Sequence, residues 1–236
     1  MFMEMMGQDV DIVELMKEAE NGDDAAVETL LLASTFIDEL SSSNHEFWTL
    51  MHGYYKRMAA RGNERAFIYL ADNYKNGVGG VEKDIRKAKE YYELAIGHGC
   101  PAGYEFLAHL YMLGDTLPVN YKKAYRLFMK ALSYDENRQA LQSDVGCYLL
   151  AEIYFRGLYG YQNLKCAEEQ YKNVISMGSD FDASYYWRAQ YRLGQIYELE
   201  GDNESAKKHK DIAREYYNAD EAWDEVNVEK LLIDYK

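Results

Sequence analysis

Proline is nearly absent from this chain, which has only Pro101 and Pro118. Because proline removes a backbone donor and clashes with the preceding helical turn, its scarcity leaves long helices unbroken, and both prolines fall between segments whose pattern predicts helix. Cysteine is also sparse. Cys100, Cys147 and Cys166 are odd in number and form no Cys-x-x-Cys pair, which argues against a disulfide framework and fits free thiols in a reducing compartment. No run approaches the roughly eighteen apolar residues of a membrane span, and Glu4, Asp9 and Asp11 interrupt any leader-like stretch. A cytoplasmic protein is the expectation. Positive charge is in deficit, with 26 Lys and Arg against 40 Asp and Glu and a net charge of −14. Such a field repels a phosphate backbone or an anionic membrane surface, so neither nucleic acid nor membrane is an expected partner.

What the chain has in abundance is repetition. A signature of small residue, x3, Leu, Ala or Gly, x2, Tyr, x2, Gly reads Ala66, Leu70, Ala71, Tyr74, Gly77; Gly103, Leu107, Ala108, Tyr111, Gly114; and Gly146, Leu150, Ala151, Tyr154, Gly157. A fourth copy runs Ala189, Leu193, Gly194, Tyr197, with Gly201 displaced by one residue. A period near forty residues marks a stacked helical array, in which no unit buries its apolar face alone. Between copies lies a second helical stripe centred on alanine: Ala88 with Tyr92 and Ala95, Ala124 with Phe128 and Ala131, Ala167 with Tyr171 and Val174. Each unit is therefore helix, turn, helix. Units start near 26, 66, 103, 146 and 189, the first in decayed form as Ala26, Leu30, Leu31 and Ser34. Residues 9–20 and 219–235 read as capping helices, and the whole of 1–236 as one domain.

These motifs resemble the Sel-one-like repeat family, relatives of the tetratricopeptide repeat. The resemblance rests on Gly77-Val78-Gly79-Gly80-Val81-Glu82-Lys83-Asp84 before Lys87-Ala88-Lys89-Glu90-Tyr91-Tyr92, and on the aromatic, Ala-Ala, Gly ending between Tyr55 and Gly62. It implies an all-α fold, an α/α solenoid of antiparallel helix pairs forming a right-handed superhelix, and an adaptor for other proteins rather than an enzyme. Some secreted, cysteine-rich relatives are associated with binding or hydrolysing β-lactams, but this chain lacks their paired cysteines. Lys210 departs from the pattern by replacing the second-helix aromatic.

In such units the first helices line a concave face. Taking Leu70, Leu107, Leu150 and Leu193 as buried anchors, the positions two before, two after, five after and six after each leucine are expected to face the groove. This nominates Ile68, Asp72, Lys75 and Asn76; Glu105, His109, Met112 and Leu113; Tyr148, Glu152, Phe155 and Arg156; Tyr191, Gln195, Glu198 and Leu199; with Arg188 one turn earlier. Tyr148, Phe155 and Tyr191 are expected to be exposed, and a bound peptide would use them as aromatic anchors and Arg156 or Arg188 for a carboxylate. The ordinary alternative is a solvated helix face. A second alternative is a self-associating structural protein, a homo-oligomer using exposed aromatics and Trp223. Tyr74, Tyr111, Tyr154 and Tyr197 are read as packing residues. His98-Gly99-Cys100 has no second ligand pair, and the chain has no His-Glu-x-x-His, Gly-x-Ser-x-Gly or Gly-Lys-Ser/Thr element, so no metal, cofactor or catalytic residue is expected.

Overall fold

A computed structural model of the chain describes residues 12–23, 25–26, 29, 45–114, 117–134, 143–178 and 183–217. Among these there are ten α-helices and no strand. By spatial contact the chain divides into two compact units, Met1–Cys100 and Pro101–Lys236. The first holds α1 (Ile12–Glu20), α2 (His45–Ala60), α3 (Glu64–Asn76) and α4 (Ile85–Gly97). The second holds α5 (Ala102–Leu113), α6 (Tyr121–Ser133), α7 (Asp144–Arg156), α8 (Leu164–Ser176), α9 (Ala183–Glu200) and α10 (Asn203–Tyr216).

The units expected at 66, 103, 146 and 189 are the helix pairs α3/α4, α5/α6, α7/α8 and α9/α10, each packed face to face. Their signature residues explain the pairing. Leu70, Leu107, Leu150 and Leu193 are all buried, and the small residue after each lets the second helix approach closely. A side chain there would collide: a Cβ on Gly194 would lie 2.7 Å from Cγ of Lys210 on α10. At the turn, Gly77 and Gly157 adopt left-handed φ of +72° and +63° and close their helices, a conformation glycine reaches without steric penalty.

The next helix is then started by one recurring device. The backbone N–H of each cap residue donates to the carbonyl of the signature tyrosine: Asp84 to Tyr74, Asn120 to Tyr111, Asn163 to Tyr154 and Asp202 to Tyr197, at 2.7 to 2.9 Å. The cap side chains accept from the first-turn amides, as Asp84 does from Arg86 and Lys87, supplying partners that helix ends otherwise lack. The short turn before Asp202 keeps the same bond, so the last unit closes like the others.

In the first unit, α2 packs on α3 over a core of Phe47, Met51, Tyr54, Tyr55 and Leu70. α2 carries the Tyr54–Ala60 part of the decayed unit expected near 26, whose residues Leu30, Leu31 and Ser34 lie outside the described residues. α1 supplies 12–20 of the cap expected at 9–20, and the closing helix expected at 219–235 lies outside the described residues. In the second unit, the first helices α5, α7 and α9 contact one another in order, with α6 and α8 each bridging to the following first helix. Pro101 and Pro118 sit between helices as expected.

Candidate functional site

The first helices of the second unit are covered on two sides, by their own partner helix and by a neighbouring first helix, and this revises the groove expected from the leucine anchors. The position two before the leucine is buried in every repeat: Ile68, Glu105, Tyr148 and Tyr191. Tyr148, with 0 % exposure, packs its ring 5.8 Å from Tyr171 on α8 and 5.4 Å from Tyr185 on α9. Glu105 accepts a 2.6 Å hydrogen bond from Ser143, the cap of α7, directly above Gly146, where a Cβ would meet its carboxylate at 2.7 Å. Tyr191 lies under the Lys210 ammonium, 5.6 Å from the ring centre. These are contacts between neighbouring helices, not open aromatic anchors. Met112, five after its leucine, is buried as well.

Two positions after the leucine, the repeats converge on a second arrangement. In the first unit Tyr92 donates to Asp72 at 2.6 Å, and Asp72 also meets Lys75 at 3.1 Å. In the second unit Tyr171 donates to Glu152 at 2.7 Å. Glu152 was expected to face the groove, yet it is buried and clasped by Arg192 from α9. Nε of Arg192 reaches Oε1 at 2.7 Å and Nη2 reaches Oε2 at 3.1 Å, with the two side chains only 4 % and 2 % exposed. Arg192 also donates to Gln195 at 2.8 Å and lays its guanidinium 4.7 Å from the centre of the Phe155 ring. Burial alone opposes the Arg192 charge, but the Glu152 carboxylate outweighs it and holds the guanidinium pKa above its ordinary value. Burial and the same carboxylate push the Tyr171 hydroxyl pKa well up, so it remains a donor. Three helices thus supply partners to both carboxylate oxygens and to all three guanidinium nitrogens, which makes such a pair tolerable.

Arg192 was absent from the nominated residues. The signal was present: the position just before the anchoring leucine holds Tyr69, Phe106 and Leu149 in the other repeats, and a charge in that column needs a buried partner.

The remaining nominated positions stay at least partly open. Asn76 and Arg156, six after their leucines, are exposed, and Leu199 is 66 % exposed; the Leu113 side chain is outside the described set. Arg156 is 4.0 Å from Glu152, so the outer edge of the buried pair carries a solvent-facing cation. Phe155, His109 and Gln195 are half-buried. Lys75 and Glu198 are in ion pairs, the latter with Lys210 at 2.7 Å. Arg188 lies over the Trp187 and Tyr185 rings at 5.4 and 5.7 Å.

The signature tyrosines pack as read. Tyr74 stacks on Tyr91 at 5.5 Å, Tyr111 accepts from the Lys123 ammonium at 2.6 Å, and Tyr197 donates to Glu168 at 2.9 Å. His98 stacks on Phe67 at 4.7 Å. Among the described residues, no three His, Cys, Asp or Glu side chains gather where they could hold a metal ion, and no helix is long and apolar enough to cross a membrane.

These helix pairs and their signature match a known family model. The Sel1 repeat matches residues 66–100, 101–133, 145–165 and 187–219, more than half of the chain. No curated protein sequence matches it. Among solved structures, a Sel1 repeat protein from Oxalobacter formigenes superposes with a TM-score of 0.62 at 21 % identity, over 91 % of this chain and 84 % of that one. A protective antigen of uropathogenic Escherichia coli strains, displaying an SLR fold, has a TM-score of 0.51 at 17 % identity, over 94 % of this chain and 47 % of that one. Helix order, turn geometry and repeat signature agree with these matches, and the chain belongs to the Sel1 repeat family.

Proposed function

We propose that this chain is a non-catalytic scaffold that holds a segment of another protein on the first-helix face of its second unit, around Phe155, Arg156, Gln195 and Leu199. Sel1-repeat proteins generally mediate protein–protein interactions. The observation that carries the reading is the clasp between Glu152 and Arg192. It pins α7 to α9 and leaves an exposed cation, Arg156, and an exposed apolar side chain, Leu199, at equivalent positions of neighbouring helices. A pair of unlike anchors on helices already fixed to one another suits recognition of a peptide carboxylate beside an apolar residue, because the backbone that presents them need not be ordered on binding. No bond is made or broken in this function. The three thiols, all free, suit a reducing compartment such as the cytoplasm.

The test is capture of partners from the native lysate by the immobilised chain, beside a variant carrying Arg156→Glu and Leu199→Asp. Both sites are at the surface, so circular dichroism should match the parent, while the melting temperature should fall, because a carboxylate at position 156 repels that of Glu152, 4.0 Å from Arg156. A partner retained by the parent and lost by the variant supports this face as the binding site. Equal capture by both removes this face from the function. If light scattering shows a dimer that the variant abolishes, self-association replaces the scaffold reading.

A further inference from the structure

We propose a second docking surface, on the exposed face of α6, that takes an acidic peptide in extended form with one apolar residue beside its carboxylates. In a chain of net charge −14, the helix Tyr121–Ser133 carries Lys122, Lys123, Arg126 and Lys130 and not one carboxylate. All four are exposed. Several cations elsewhere are neutralised locally, as in Lys75 with Asp72, Lys89 with Glu93, Lys172 with Glu168 and Lys210 with Glu198. Those of α6 meet no carboxylate among the described residues; Lys123, Lys122 and Lys130 lie instead over the rings of Tyr111, Tyr159 and Tyr104.

The arrangement is unfavourable on its own account. Like charges four residues apart repel, and two lysines in the first turn oppose the helix dipole. An anionic partner relieves both. Lys122, Arg126 and Lys130 form one stripe with a rise of about 6 Å per step, close to the ~6.6 Å between alternate side chains of an extended peptide. Carboxylates at every second residue therefore fall in register with the stripe. Beside it lies an open depression of about 360 Å³ lined by Asn120, Lys122, Lys123, Arg126, Leu127 and Lys130. On the other flank, Tyr159 packs 5.1 Å from Tyr125, and the Tyr154 hydroxyl lies 3.7 Å from the Met129 sulfur. Met129 and Tyr159 are exposed, and Tyr161, two residues on, is 98 % exposed. This flank offers polarisable cover for an aromatic or aliphatic side chain. A long polyanion would meet the negative charge of the rest of the chain, which favours a short acidic peptide over nucleic acid.

The experiment measures fluorescence anisotropy of a labelled peptide of alternating glutamate and serine ending in tryptophan, added to the full chain. The parent and a Leu199→Ser variant should bind alike, because Leu199 is on α9, outside the residues that line this surface, and the change adds no charge. Lys122→Glu with Arg126→Glu, the neutral pair Lys122→Gln with Arg126→Gln, and a peptide with glutamine for glutamate should each weaken binding, the charge reversal by ~10-fold or more. Added salt should weaken it further. Unchanged affinity on charge reversal, or no binding by the parent, overturns the proposal. So does tighter binding of an oligothymidylate with the same dependence on Lys122 and Arg126, or a parent dimer in light scattering that the charge reversal dissociates.

Discussion

In the unit ending at Cys100, the second-helix tyrosine Tyr92 gives its hydroxyl to Asp72, whose carboxylate is about one-third exposed and shared with Lys75. In the unit that begins at Pro101, Tyr171 gives its hydroxyl to Glu152, which is sealed from water and held by Arg192 from the next repeat. The bond and the repeat position are the same; the depth is not. At the surface, solvent already stabilises the carboxylate and the tyrosine adds little. In the interior, desolvation makes each partner indispensable to the other. The other two repeats show the position is free to vary: Phe128 has no hydroxyl, and Lys210 lies on Gly194 and reaches Glu198 instead.

The largest effect should come from breaking the buried pair on one side. Arg192→Leu is expected to destabilise the second unit by about 3–5 kcal/mol, because it strands a buried carboxylate. Arg192→Leu combined with Glu152→Met should recover most of that loss, while Asp72→Asn in the first unit should cost about 1 kcal/mol or less. Denaturant unfolding of the four proteins measures the contrast, and equal losses at Asp72 and Arg192 would erase it.

Smaller, and specific to the first unit, is Gly79→Ala. Gly79 has φ of +74°, and a Cβ there would lie 2.9 Å from His52 Cβ and 3.0 Å from the Trp48 carbonyl on α2. A loss of about 2–3 kcal/mol is expected, against about 1 kcal/mol for Gly201→Ala, where φ is +82° but none of the described residues lies within 4 Å. Melting temperatures of the two variants give the comparison directly.

A gentler probe is pH. Burial, aided by Lys56, lowers the pKa of His52, and burial, aided by Lys208 and Lys172, lowers that of His209, in both cases below the ordinary 6.5. The folded state thus resists the proton that the unfolded chain accepts, so the stability both histidines contribute is complete above pH 6.5 and is lost as pH falls through their lower folded values. The buried Nε2 of His52 has no hydrogen-bond partner among the described residues, while its Nδ1 lies 3.0 Å from the Asn73 amide. His52→Gln should flatten the first unit's share of the acid-side fall in melting temperature, leaving that of His209.

The smallest effect is chemical. Burial, with Glu105 and Asp144 nearby, pushes the Cys147 thiol up to about 12, so the nucleophilic thiolate is scarce at pH 8. Iodoacetamide followed by mass spectrometry should modify the half-buried Cys166 first and leave Cys147 unmodified until the chain is unfolded.

The repeat was readable in the sequence because leucine, small residue, tyrosine and glycine recur wherever two helices must approach and turn, so α3 to α10 could be placed from these residues alone. The candidate face was read less well, for a physical reason. A helical wheel anchored on Leu150 assigns Tyr148 and Glu152 to the side opposite the leucine, but α7 has a neighbour on that side too, α9, and both residues are consumed there. Asn76, Arg156 and Leu199, six after their leucines and at the ends of their helices, are exposed. Arg192 could be found only by asking what one charge does in a column of aromatic and aliphatic residues.

Site-specific photocrosslinking tests the scaffold account most directly. A photoreactive phenylalanine analogue would replace Arg156 or Leu199 in two samples and exposed Lys207, on α10, in a third, and adducts would be identified after irradiation in the native lysate. The account predicts the same foreign protein joined at positions 156 and 199 and absent from 207. Adducts only to a second copy of this chain, or equal yields at all three positions, would contradict it.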